Sequence, residues 1–541
     1  MMGRIKYMDA MDSSSLEVKR IGLIISSLDV SKHELDFIES CSVEPLIDLR
    51  LIEIKKTDSK NFNIRKLSWR IINLIERIKL HFSPYSSHLQ RYNIQKKVFL
   101  KEIVLHSMPL SKCSELVNCD FSSLISFDYR FDFQEIQKFI RTDLIFFYKG
   151  LNFCPKNILI GFDELLESKS SSSFSIIKVK KEDGSLEVLL KGSFVSSLYF
   201  LSNQANIFER RNYYLLKLLN GSMKTADAST QANWLSINSL NKVLQEPSLK
   251  DQLSYLKKVI FTSFLLMYRF IIGQKIVWKV FYSTDKWTDL DFKNHESLPN
   301  PRNGYLADPF IFNHQGRNIV FVERFDFKDE KGKIAAYEIG NFLPKDLGII
   351  IEEDFHLSYP YIFQNNNNIY LIPESSQNKD VRLYECELFP NKWKLKSIIL
   401  KDVSAADSMV VESEGKWWLF TNLNPSNLSD HCSELFIFSS NDLLNGPWLP
   451  HVNNPIFIDP ANARNGGIII DGEIFYRVSQ KQGHGVYGQN IQINKILELN
   501  DLNYAEEIMS KDGGVNIRNT EQSHHLHTNS TYSVYDKWDL K

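Results

Sequence analysis

Two different patterns of apolar and polar positions divide the chain near residue 274. In the first part, RIGLIISS (20–27) is a short Ile-rich apolar run, the mark of a strand buried on both faces in a parallel sheet. Ser31 then stands as N-cap of a helix over KHELDFIESC, and LIDLRLIEI follows as a second strand. This β-α-β opening predicts a doubly wound, Rossmann-type α/β unit. Helical periodicity runs over 66–82, 206–219 and 240–272, and TDLIFFYKG (142–150) reads as another buried strand. The serines at 168–173 predict a turn, and FSIIKVKKEDGSLEVLLKG after them predicts a hairpin turning at Asp183-Gly184. The loop after the first strand, SSLDVS, lacks GxGxxG, so a dinucleotide site is not supported.

From Trp278 onward the pattern changes to short alternating strands separated by Asn, Gly and Asp turns, with no long helical period. YIFQNNNNIYLIPES, VVESEGKWWLFTN and GIIIDGEIFYRVS are hairpins turning at 365–368, Glu414-Gly415 and Asp471-Gly472. Each first strand follows a short polar motif: Ala307-Asp308-Pro309-Phe310, Ser358-Tyr359-Pro360-Tyr361, Ala406-Asp407-Ser408-Met409, Arg464-Asn465-Gly466-Gly467 and Leu526-His527-Thr528-Asn529. Their spacing of about 50 to 60 residues is that of a four-stranded propeller blade with its loops. Five units fit the length, and WKVFYS before the first motif can close the ring by pairing with the last blade. The predicted organisation is therefore an α/β domain over 1–220, a helical linker over 221–274 and an all-β five-bladed propeller over 275–541, with an irregular β-sandwich as the rival to the propeller. Innermost propeller strands line the central channel, so Asp308, Tyr359, Asp407, Asn465 and His527 are expected to converge there.

Two aspartates opening blades one and three suit acid/base work on an acetal. Asp308, framed by Leu306-Ala307 and Pro309-Phe310, is the candidate base; Glu374 and Asp407 are the candidate acid and its pKa partner, and Glu323 is a further acid within reach. Arg464 and Arg477 suit a phosphate or carboxylate on the ligand through paired hydrogen bonds. Tyr359, Tyr361, Trp417 and Trp418 are stacking candidates for a sugar ring. His524, His525 and His527 invite a metal reading, but no accompanying carboxylate or Cys spacing supports one, and no cofactor is expected.

Composition narrows the partners. The 541 residues carry 64 basic and 65 acidic side chains, a net charge of −1, so no long-range pull towards nucleic acid is expected. Six cysteines without a CxxC pair indicate neither a disulfide framework nor zinc, which fits a reducing compartment. The first 20 residues lack the apolar stretch of a signal peptide, so a cytoplasmic location is expected. The most apolar run, 259–272, is short of the roughly 20 residues needed to span a bilayer, and Arg269 interrupts it. A buried helix is the plain reading; peripheral membrane contact through 254–272 is the other, since Lys257, Lys258 and Arg269 flank the apolar residues.

The run YLADPFIF…IVFVERF…GKIAAYEI…SYPYIF…IYLIPES…AADSMVV…KWWLFTN…ARNGGIII…IFYRVSQ…YGQNIQINKI resembles a propeller found in bacterial proteins of surface-polysaccharide gene clusters. The same domain forms the N-terminal part of the plant glucosamine inositolphosphorylceramide transferases, and it is distantly similar to arabinanase-like five-bladed glycosidases, whose first-blade Asp is the catalytic base. The resemblance covers about residues 275 to 535 and implies recurring polar sites at Asp308, Glu374, Asp407, Arg464, Arg477, Gln480, Tyr487 and His527. In such bacterial proteins the propeller often follows a formyltransferase-like domain. Here GFDELLES…FSIIKVKKEDGSLEVLLKGSFVSS resembles the segment with that family's late Asp and Gly, at Asp183 and Gly184. The family's catalytic His is missing from LNFCPKNILI after DLIFFYKG, so a degenerate scaffold without formyl transfer is implied. Together these readings predict a protein of cell-surface polysaccharide or glycolipid biosynthesis with a carbohydrate or sugar-phosphate ligand. A sugar transferase with its site in the funnel is favoured; a glycan-binding module and an inverting glycosidase are the alternatives.

Overall fold

A computed structural model describes residues 17–55, 67–96, 105–109, 120–127, 142–149, 161–223, 247–293, 295–340, 343–424, 430–484 and 486–540. The chain divides into two compact units, Asp9–Phe264 and Leu265–Lys541.

In the first unit, β1 (Lys19–Ile25), β2 (Ile47–Lys55), β3 (Leu105–Pro109), β4 (Ser123–Ser126), β5 (Leu144–Lys149), β6 (Ser171–Val179) and β7 (Leu186–Val195) form one sheet in the order β3-β2-β1-β4-β5-β6-β7. Pairing is parallel from β3 across to β5 and antiparallel from β5 to β7. The order reverses between β1 and β4, the switch of a doubly wound sheet. Helix α1 (Lys32–Ser42) starts at Ser31, where a capping box forms: the Ser31 N–H donates to Glu34 Oε2 at 2.7 Å. Helices α2 (Leu67–His81), α3 (Phe200–Leu219) and α4 (Leu249–Ile271) follow.

Two expectations need correction. Ser171, Ser172 and Ser173 do not turn the chain; they lie in β6. Ser172 is buried there because Asn203 of α3 partners its hydroxyl: Oγ donates to Asn203 Oδ1 at 3.0 Å and meets Ser196 Oγ at 2.9 Å. Helix α3 also starts at Phe200, before the expected 206. The predicted helix over 240–246 lies outside the described residues. The hairpin forms as read, with Gly184 at φ +70° and Asp183 Oδ1 accepting the Ser185 N–H.

The second unit is the predicted five-bladed propeller. Blade one comprises Gly304–His314, Arg317–Asp326, Lys331–Ile339 and Lys345–Ile351, and blade two Ser358–Asn365, Asn368–Glu374, Asp380–Leu388 and Lys392–Lys401. Blade three comprises Ala405–Ser413, Lys416–Leu423, Glu434–Ser440 and Leu449–Pro450, with Phe457–Ile458 added beside the third strand. Blade four comprises Asn465–Asp471, Ile474–Gly483, Val486–Leu499 and Tyr504–Ile508. Blade five draws on both ends of the unit: Leu526–Thr528 and Ser533–Leu540 pair on to Ile276–Ser283 and Glu296–Ser297. The closing register runs from Ile276↔Leu540 to Ser283↔Ser533, as WKVFYS implied. Tight turns carry the residues such turns need, as at Glu414 (φ +53°) and Gly415 (φ +74°). Apolar inner faces such as Phe310, Ile372, Met409 and Leu435 make one cluster across the first three blades.

Candidate functional site in the propeller funnel

The inner strands of the first three blades each carry a bulge at the predicted motif. Pairing shifts between Ala307 and Phe310, between Ser358 and Tyr361, and between Ala406 and Met409. The residue opening each bulge is left-handed: Asp308 at φ +50°, Tyr359 at +45° and Asp407 at +47°. A side chain in that region costs of order 1–3 kcal/mol, and a bulge re-aims it out of the regular pleat. Blade four reaches the same place with glycine: Gly467 has φ +126°, and a Cβ on it would meet Leu526 O at 2.2 Å.

Asp308 is tied across the ring closure. Its N–H donates to Asp536 Oδ2 at 3.0 Å, and its Oδ2 accepts the Tyr359 N–H at 3.2 Å. His524 bridges the two acids, with Nε2 3.0 Å from Asp308 Oδ1 and Nδ1 2.9 Å from Asp536 Oδ1. Burial opposes charge on both partners, but each outweighs it for the other. The Asp308 carboxyl is held down to about 2, chiefly by His524, and the His524 imidazole is pushed up to about 10 by Asp536 and Asp308. An imidazolium therefore sits between two carboxylates.

Asp407 forms a second centre. Arg464 grips it with Nε to Oδ2 at 2.6 Å and Nη2 to Oδ1 at 3.2 Å, and Gln480 Nε2 adds a bond to Oδ2 at 3.0 Å. Asn465 Nδ2 braces the Asp407 carbonyl at 2.9 Å. Burial raises the Asp407 pKa against the pull of Arg464, and the charges of Glu374 and Asp308 add to the rise. Glu374 Oε2 lies 3.7 Å from Arg464 Nη2, and Ser376 Oγ donates to its Oε1 at 2.7 Å. Burial opposes ionisation of Glu374, yet Arg464 and His431 carry its pKa below the usual value. Glu323 goes the other way: burial, then Asp308 and Glu374, push its pKa well up. Its Oε1 has no hydrogen-bond partner; His356 Nε2 stands 3.4 Å away, while His356 Nδ1 accepts the Gly332 N–H. Asp308 and Glu374 thus favour the anion and Glu323 the proton, while Asp407, raised by burial, keeps both oxygens on the donors of Arg464 and Gln480. Such splitting is the requirement for distinct acid and base roles.

Tyr487 links the two centres. It is 41% exposed, its ring lies 5.2 Å from the Arg464 guanidinium carbon and 5.4 Å from His524, and the Trp278 ring packs tilted against His524 at 3.9 Å. Blades one to five therefore all contribute to one polar neighbourhood.

Several expected residues are placed otherwise. Arg477 is fully buried in blade four, where Nε and Nη2 hold Glu506 at 2.8 and 2.7 Å and Nη2 also donates to Asn462 O. Its donors serve this internal pair, so it is not offered to a ligand. Nor does His527 reach the carboxylates; its Nδ1 accepts the Ile311 N–H at 3.3 Å and its ring leans on Phe310. The inner strand of blade five is only Leu526–Thr528, and the residue that enters the funnel is His524, ahead of it. Tyr359 contributes its backbone alone: the ring is buried against Phe310 and His525. Tyr361, Trp417 and Trp418 are core as well, so stacking falls to Tyr487. Asn465 and Gln480 are wholly buried braces of Asp407. Sequence reasoning missed Asp536, His356 and His431. An acid directly after Val534-Tyr535 in the strand SVYDKWDL was a usable signal for Asp536; the two histidines lie in connections and gave none.

Asp308, His524 and Asp536 offer one ligand atom each within 4.8 Å, a grouping that can hold a cation. The doubly bonded imidazolium already supplies positive charge there, and a metal would have to displace its proton.

Residues 294–538 match the family described as glucosamine inositolphosphorylceramide transferase 1, N-terminal. The propeller is homologous to this part of the transferases. The glucosamine inositolphosphorylceramide transferase 1 of rice (Oryza sativa subsp. japonica) is 33% identical over 240 residues, which are 41% of this chain and 31% of that protein. The Arabidopsis thaliana protein of the same name is 34% identical over 233 residues, 41% of this chain and 30% of the other. The match thus spans less than a third of the curated relatives' length. Among solved structures, the family 117 glycoside hydrolase Zg3597 of Zobellia galactanivorans is 13% identical, covering 49% of this chain and 90% of its own at a TM-score of 0.33. An α-L-arabinanase of Penicillium chrysogenum complexed with arabinobiose is 12% identical, covering 44% and 77% at a TM-score of 0.31.

Proposed function

We propose that this chain is a sugar transferase of cell-surface polysaccharide or glycolipid biosynthesis, working at the cytoplasmic side of the membrane with its site in the propeller funnel. The single observation that carries the reading is the buried four-acid cluster in a propeller homologous to the N-terminal part of glycolipid transferases. In this reading Asp308, held ionised and oriented by His524, takes the proton of an acceptor hydroxyl. Glu323, kept protonated by burial and with a free oxygen, is better suited than Glu374 to protonate a leaving oxygen. Glu374 stays anionic beside Arg464, and the Asp407–Arg464 pair is the charge that tunes both. Tyr487 offers the sugar-stacking face.

The test is Asp308→Asn, assayed for transfer from nucleotide-sugar and lipid-phosphate donors. Loss of an acid/base group lowers turnover by about 10²–10⁴-fold, with glycan binding retained. Unchanged turnover would rule out Asp308 as the base. A second reading, a glycan-binding module, draws on one observation: all four oxygens of Asp308 and Asp407 already accept protein donors. It predicts binding that survives Asp308→Asn with no turnover in either protein.

The N-terminal unit we read as a formyltransferase-like scaffold without formyl transfer. Its doubly wound sheet supports the scaffold. Asp183 speaks against a site there: it is an exposed turn residue bonded to Ser185. The segment 151–160, where the histidine is missing, lies outside the described residues.

A further inference from the structure

Helices α2 and α4 are packed side by side on their inner faces. Ser68 Oγ donates to Gln252 Oε1 at 2.6 Å, the Tyr255 hydroxyl donates to Glu76, and Ile72, Leu80, Leu256 and Val259 share one buried cluster. With these inner faces occupied, the remaining apolar residues face outward. On α2, Leu67, Ile71, Leu74 and Ile78 follow a spacing of four, three and four residues, one stripe of a helix. They are between 41% and 72% exposed. On α4, Phe261 and Phe264, three residues apart on one face, are 60% and 56% exposed. Rows of exposed large apolar side chains at helical spacing, unlike scattered single ones, mark an interaction surface.

The charges beside these stripes are of one sign. Arg70 and Arg77 on α2, and Lys250 and Lys257 on α4, are exposed. The acid of α2, Glu76, is turned inward against Tyr255, and Asp251 caps the start of α4 through Ser248. A chain with a net charge of −1 thus places cations beside these apolar stripes. Protein interfaces lose lysine from their contact cores, whereas an anionic lipid surface rewards this combination of apolar stripe and basic rim. No helix among the described residues is long and apolar enough to cross a membrane, so the fit is to lying on the surface.

We propose that α2 and α4 together form a seat for an anionic membrane, with the four α2 residues and Phe261 and Phe264 of α4 entering the headgroup region. The proposal stands apart from the chemistry of the propeller, since its readout needs no turnover. It widens the run over 254–272 to a two-helix surface that includes α2.

The test is co-sedimentation of the full chain with vesicles of phosphatidylcholine alone or mixed with phosphatidylglycerol. The wild type is expected to pellet with the mixed vesicles, to bind the neutral ones weakly, and to be released as salt rises. Leu74→Glu with Ile78→Glu, and separately Phe261→Glu with Phe264→Glu, are expected to reduce partitioning by about tenfold or more while leaving the thermal transition in place. Wild-type protein that stays in the supernatant with both vesicle types overturns the proposal. So does binding unchanged in both double variants. A stable dimer by light scattering that Phe261→Glu with Phe264→Glu dissociates would instead assign the surface to a second copy.

Discussion

His524 holds a proton between two buried carboxylates, and this makes the site's stability depend on pH in a defined way. Unfolded, the imidazole titrates near 6.5; folded, its pKa is about 10. Because the folded state binds the proton more tightly, the contribution is complete below pH 6.5 and fades as pH rises through about 10. Asp308 has the opposite sign: its pKa drops from 3.8 to about 2, so its contribution is present above 3.8 and lost as pH falls through about 2. Urea unfolding across pH should therefore show a plateau bounded by these two edges. His524→Gln leaves two buried acids facing each other and is expected to cost about 3–5 kcal/mol at neutral pH, with the alkaline edge gone. A variant as stable as the wild type would contradict the double pairing. Asp308 and Asp407 were legible in the sequence because each opens a strand in a recurring motif. His524 was singled out only in a metal reading, because the inner strand of blade five is three residues long and the recurring motif falls on Leu526. Arg477 was misread for a different reason: its partner Glu506 lies 29 residues on and nothing local marks the pair.

Among elements, the inner strands set the register of the site, and glycine marks a close backbone approach. Gly467 combines φ +126° with a Cβ position 2.2 Å from Leu526 O, so blade four touches blade five backbone to backbone. Gly467→Ala is expected to cost at least about 1–3 kcal/mol from backbone strain, and to loosen His524 from Asp308 through the displaced Leu526. Thermal unfolding with ligand titration checks both effects; a silent substitution would mean the two strands are not held at this distance. Hairpins were readable because their turns need particular residues, as Asp183-Gly184, Glu414-Gly415 and Asp471-Gly472 show. Ser171–Val179 defied the same logic. Its serines look like a turn until Asn203, from a helix far along the chain, supplies their hydrogen bond.

At the scale of the whole propeller, closure comes from strands at its two ends. Ile276–Ser283 pairs with Ser533–Leu540 along eight positions, and the bond from Asp308 N–H to Asp536 joins residues 228 apart. Ending the chain at Tyr532 removes the second strand of blade five and Asp536 together. The expected result is rapid proteolysis of 276–340 and loss of the single cooperative transition; a shortened chain that melts as one unit would show that closure is dispensable. That five repeats form a ring was legible from motif spacing and the unpaired strand WKVFYS, since a sheet edge needs a partner.

The same knot of Asp308, His524 and Asp536 also dictates when the pocket can come into being. A ribosome delivers Asp536 228 residues after Asp308. Throughout that interval the emerging chain displays blade faces without a usable cleft, and a product released before Asp536 would lack the carboxylate that fixes His524 in place.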